Sequence, residues 1–132
     1  MKSAARLVSC LLAGIALLVT ATDATAAAAP AVLSVFSAKV KGDGSAYVKK
    51  LQAGKPLVMK HGAKSFRIFR AIYAGEGTAR IISVAEYENA EAFGKARVNR
   101  SDDAEFTKWI NDLVGSGLSE DVHASLLEEV QP

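Results

Sequence analysis

Two histidines, three tyrosines and a pair of arginines on β-rich runs hold most of the chemistry available to this chain. His123 falls in the run Val122 to Val130 (VHASLLEEV), on the alternate positions shared with Ser125 and Leu127. An imidazole placed there suits a general base near neutral pH or a haem ligand, although a lone strand histidine is more often a packed or edge residue. Arg70 shares its register with Phe66, Ile68 and Ile72, so it either snorkels outward or binds an anion. Tyr73 and Tyr87 end two neighbouring runs with polar-tipped rings suited to orienting a ligand. Glu76, flanked by Gly75 and Gly77, is most simply a turn residue. His61 stands beside Gly62 at the end of a helical pattern, where the helix dipole favours a cation, and reads as a cap. Trp109 shares the spacing of Phe106, Ile110 and Leu113, which is that of a packed helix face.

Several chemistries are excluded by composition. The one cysteine, Cys10, lies in the N-terminal apolar segment, so a chain that loses this segment has no disulfide, no thiolate nucleophile and no cysteine metal site. With two histidines left, a closed zinc site is not expected. No G-x-S-x-G elbow, phosphate-cradling loop or calcium-loop spacing occurs. Basic residues are scattered, with Lys49-Lys50 the only adjacent pair, so the concentrated positive footprint of a nucleic-acid surface is missing. Neither a metal nor another cofactor is expected.

The start of the chain reads as an export signal over residues 1–26. Lys2 and Arg6 precede the apolar run Leu7 to Val19, and Ala24-Thr25-Ala26 gives a small-x-small cleavage site. The run is shorter than the roughly 20 residues that span a bilayer, so no membrane anchor is expected after cleavage. Leu7-Val8-Ser9-Cys10 resembles a lipoprotein box but opens the apolar segment instead of closing it. Removal of Lys2, Arg6 and Asp23 leaves 14 basic and 13 acidic residues, a nearly neutral chain of one domain. Its expected address is the periplasm or the medium.

The elements that must position these side chains follow a short tether, residues 27–31. Val32 to Val40 reads as the first strand, and a helical pattern runs from Tyr47 to Gly62, with a kink or break expected at Gly54 and Pro56. Ser65 to Tyr73 and Ala79 to Tyr87 form an antiparallel hairpin about Ala-Gly-Glu-Gly-Thr. Asn89 caps the next helix, Asn99-Arg100 interrupts it, Ser101-Asp102-Asp103 restarts it, and Gly115-Ser-Gly117 stops it. The last strand is Val122 to Val130. The order is β-α-β-β-α-β, an α+β ferredoxin-like arrangement with helices on one face of a four-stranded antiparallel sheet. Both faces of the sheet carry apolar residues, which predicts a cover that one chain cannot supply.

This order, and the run IYAGEGTARIISVAEYENAEAFGKA, resembles the dimeric α/β-barrel superfamily, which includes antibiotic-biosynthesis-monooxygenase-like and stress-responsive barrel domains. The likeness covers residues 32–130. It implies a homodimer closed by two sheets packed face to face. Haem-degrading barrels of this kind use an Asn, Trp and His constellation, but the first strand here has no asparagine. The resemblance implies one of two functions. The first is binding of a small apolar or aromatic molecule, or a structural role, without catalysis. The second is cofactor-independent monooxygenase-like chemistry on a small aromatic or polyketide-like substrate. In that case His123 would be the base, Arg70, Tyr73 and Tyr87 would orient the substrate, and Glu76 would sit at the barrel mouth.

Overall fold

Alternation of apolar and small residues makes Val32–Val40 a strand (β1), and the computed structural model, which describes residues 27–130 and Pro132, gives it those bounds. Residues 1–26, which the sequence reading expects to be an export signal, lie outside the described residues. Helix α1 (Ser45–Lys60) follows, entered through Gly44 in the left-handed region (φ 76°). Asp43 Oδ1 accepts from the Ser45 amide and hydroxyl at 3.0 and 2.8 Å. Strand β2 (Ser65–Arg70) leads through a 3-10 turn at Gly75–Gly77 to β3 (Ile81–Tyr87). Then come α2 (Ala90–Ser101), α3 (Ala104–Gly115) and β4 (Ser119–Glu128). The sheet order is β2-β3-β1-β4, antiparallel throughout, the ferredoxin-like arrangement expected.

Strand β3 begins at Ile81 instead of Ala79, and β4 runs over Ser119–Glu128 instead of Val122 to Val130, because those are the residues that pair with β2 and β1. Three further differences from the sequence reading each have a physical reason. Helix α1 runs unbroken through Gly54 and Pro56. Pro56 frees only the Gln52 carbonyl, and Gln52 and Pro56 are both on the exposed side, where that carbonyl is open to solvent. The opposite side buries Tyr47, Leu51, Gly54 and Val58. Strand β2 stops at Arg70, so Ile72 and Tyr73 belong to a wider connection that leaves them exposed. Helix α2 continues past Asn99 and Arg100, and the restart falls on Asp103, whose carboxylate accepts from the Glu105 and Phe106 amides.

Burial in β3 alternates strictly, so Ile81, Ser83, Ala85 and Tyr87 face the helices while Ile82, Val84 and Glu86 face away. The register extends that division across the sheet. Val35 lies opposite Val84 on one side and Ser125 on the other, and Leu33 lies opposite Glu86 and Leu127. Among the described residues the face of Leu33, Val35, Ile82, Val84 and Leu127 has no helix over it. On the helix side there are two core clusters, one around Phe66, Ala85 and Tyr87 and the other around Tyr47, Leu51 and Ile81; Ile68 and Trp109 pack against both.

One cluster clasps the two helix ends. Asp103, the α3 N-cap, also takes Lys60 Nζ at 2.9 Å and His61 Nε2 at 2.8 Å. His61 is the C-cap of α1, in keeping with its reading as a cap, and its ring meets Phe106 edge-on. The Lys60 ammonium, then the Phe106 amide and His61, hold the Asp103 carboxyl well below its ordinary 3.8. A depressed carboxyl stabilises the fold above its unfolded value and loses that contribution as pH falls toward its folded value. Asp103→Asn should therefore melt several degrees lower near neutral pH and lose less of its melting temperature than wild type below about pH 4. Circular-dichroism melts across pH 2–7 check this. Parallel pH profiles would contradict it.

Candidate functional site

Residues of both core clusters, from the sheet and from the helices, line one hollow. It is a partly enclosed cavity of about 420 Å³, within the roughly 300–1,000 Å³ range of small-molecule sites. Phe66, Phe106 and Trp109 supply aromatic walls, and Ser34 and Ser83, both buried, supply hydroxyl-bearing positions on the two central strands. The rim is apolar, since Phe36, Val114 and Val122 line it yet remain substantially exposed. Tyr47 lines it too, and burial pushes its phenol up, with Ser119 beside it pulling the other way.

The wall formed by Trp109 is fixed from two sides. Its Nε1 donates to the Lys50 carbonyl at 2.8 Å, and its ring packs on Gly54 of α1. A 70° edge contact with Phe106 at 5.4 Å holds the second ring. The tryptophan is thus the packing residue that its spacing predicts, and it also lines the cavity.

Arg100 is the cavity's one cationic lining residue. Its guanidinium carbon lies 5.6 Å from the Tyr87 ring centroid, 5.8 Å from that of Phe93 and 5.4 Å from that of Phe106. Nε donates to the Ala96 carbonyl at 3.1 Å, while Nη2 is buried with no hydrogen-bond partner. Burial pulls its pKa down. A buried donor left unmade costs about 1–3 kcal/mol, and more when charged, so this group is a costly one to leave without a partner. Sequence reasoning missed Arg100, taking it for a helix break. A signal was present: it follows Phe93 and Ala96 at i+7 and i+4, placing a charge in register with the helix's apolar face.

The other candidates are dispersed. Tyr87 is fully buried, its hydroxyl unpartnered and its phenol pushed up by burial with Arg100 opposing. Arg70 donates to the Asp43 carbonyl and ties the end of β2 to the loop before α1. Tyr73 and Glu76 are exposed in the β2–β3 connection, and neither lines the cavity. His123 lies opposite Ser37 on the sheet face turned away from the helices, on the expected positions with Ser125 and Leu127. Its Nε2 lies 2.9 Å from Asp121 Oδ1, and the same carboxylate takes Arg80 Nη1 at 2.7 Å. Among the described residues no cluster of three metal-ligating side chains occurs, and no helix is long and apolar enough to cross a membrane.

No protein-family model matches the chain, and no curated protein matches it either. Solved structures do. SnoaB from Streptomyces nogalater, a cofactor-independent oxygenase, superimposes with a TM-score of 0.60 at 16% identity over 79% of this chain and 97% of its own. A protein from Bordetella bronchiseptica, provisionally assigned as an antibiotic biosynthesis monooxygenase, gives 0.57 at 21% identity over 77% and 99%. A NIPSNAP-family protein from Agrobacterium tumefaciens gives 0.59 at 13% identity over 77% and 88%. At these identities what is shared is architecture. The chain has the ferredoxin-like α+β fold of the antibiotic-biosynthesis-monooxygenase-like proteins.

Proposed function

We propose that this chain is an exported homodimeric binding protein whose ligand, a small apolar or aromatic molecule, sits between its helices and its sheet. The observation that carries this reading is the cavity of about 420 Å³ with aromatic walls and few polar groups. Export rests on the N-terminal signal pattern, and dimerisation on the apolar sheet face with no helix over it. Intact mass of the protein recovered from the periplasm or medium should place the N-terminus near Ala27, without lipid. Retention of an acylated Cys10 would contradict this.

A second reading, cofactor-independent oxygenation, is favoured by the architecture shared with SnoaB. Against it, the residues lining the cavity include no histidine, aspartate or glutamate to take a proton, and His123 lies on the other side of the sheet.

Calorimetric titration with 2-naphthol tests the binding reading. Wild type should bind with a micromolar-to-millimolar Kd, and Ser83→Phe, which places a ring on the cavity floor, should abolish binding while the protein still melts cooperatively. Unchanged binding by a folded Ser83→Phe would place the ligand elsewhere. Dioxygen uptake on adding a dihydroxynaphthalene, above the protein-free rate, would move the assignment to the second reading.

A further inference from the structure

We infer that the ligand of this cavity is an aryl carboxylate, its carboxylate paired with the Arg100 guanidinium and its ring held among Phe66, Phe106 and Trp109. The inference rests on the cavity reading above and adds the chemical class of the ligand. Arg100 lines the cavity, Nη2 is buried and unpartnered, and no carboxylate pairs with it among the described residues. Three aromatic rings crowd the guanidinium and limit its hydration, which strengthens attraction for an anion arriving there. The Tyr87 hydroxyl, on one of those rings, is a second buried donor without a partner. Tyr87 does not itself line the cavity, so the acceptor called for is one that meets Arg100.

The class of anion follows from the rest of the lining. Arg100 is its only cation, so a dianionic phosphate would remain under-neutralised, whereas a singly charged planar carboxylate matches one guanidinium fork. The aromatic walls select a flat apolar body to go with it. A purely structural role, a cation at the end of α2 meeting the helix dipole, accounts for the Nε bond to Ala96 and leaves Nη2 unexplained.

The test compares two probes of the same shape, 2-naphthoate and 2-naphthamide, by calorimetry on the purified protein. The anion should bind tighter than the neutral amide by about tenfold or more, the value of a charge-assisted hydrogen bond. That preference should collapse to about one in Arg100→Met and Arg100→Gln, and persist in Lys95→Met, which removes an exposed cation of the same helix. Equal binding of the two probes, or a preference surviving in either Arg100 variant, overturns the carboxylate assignment and leaves the cavity reading standing. Failure of both probes to bind at millimolar concentration overturns the cavity reading and this inference together.

Discussion

Gly54→Ala should lower the melting temperature by roughly 10 °C or more, although alanine is the better helix former by about 1 kcal/mol. A β-carbon built at Gly54 would lie 2.0 Å from Cε2 and Cζ2 of Trp109 and 2.6 Å from Cδ2. The indole cannot retreat without breaking its bond to the Lys50 carbonyl and its edge contact with Phe106. Overpacking of this kind costs about 1–3 kcal/mol or more, which outweighs the propensity gain. The displaced ring would also narrow the cavity, so binding of 2-naphthol should weaken in the same variant. Trp109→Leu in the Gly54→Ala background should recover part of the loss, with a coupling of about 0.5–3 kcal/mol in a double-mutant cycle. A melting temperature raised by Gly54→Ala would show that the two helices are not packed this way.

The second large effect concerns the sheet face that no helix covers. Leu33, Val35, Ile82, Val84 and Leu127 are apolar residues of one contiguous surface, and Phe69 adds a half-exposed ring at its β2 side. A surface of that kind on a lone soluble chain invites association. Two copies meeting through it would bury on the order of 2,000 Å² in total. Wild type should elute as a dimer in size-exclusion chromatography with light scattering at low micromolar concentration. Leu127→Glu should dissociate it, because a carboxylate buried without a partner costs several kcal/mol, and the freed chain should aggregate or melt far lower. A wild-type protein that stays monomeric when concentrated and melts cooperatively would remove the case for the dimer.

Much of this architecture is legible in the chain. The first strand has the bounds that its pattern gives, because Val32 to Val40 begins and ends where apolar alternation does. The division of side chains between the two sheet faces also follows directly, since a strand's period of two leaves no freedom once the register is set. What misleads is local chemistry overruled by packing. Gly54 and Pro56 read as a break, yet Gly54 is small because Trp109, 55 residues later, rests on it. Tyr73 reads as part of a strand, but the β2–β3 pairing ends at Arg70 and Ile81, leaving it exposed. Arg100 resembles an ordinary cation near a helix end. Its surroundings come from Tyr87, Phe93 and Phe106, contributed by β3, α2 and α3, a convergence that no local window displays. The site was therefore the least legible part, and His123, the most conspicuous side chain in the sequence, lies on the face away from the cavity.

The most direct test of the account is where a ligand's ring sits. With methyl-labelled protein and 2-naphthol, intermolecular nuclear Overhauser effects should connect the probe to the methyls of Leu51, Val58 and Leu113 and to the Trp109 indole, all of which line the cavity. Overhauser effects instead to Leu33, Val35, Val84 and Leu127 would place the ligand on the opposite face of the sheet and contradict the account.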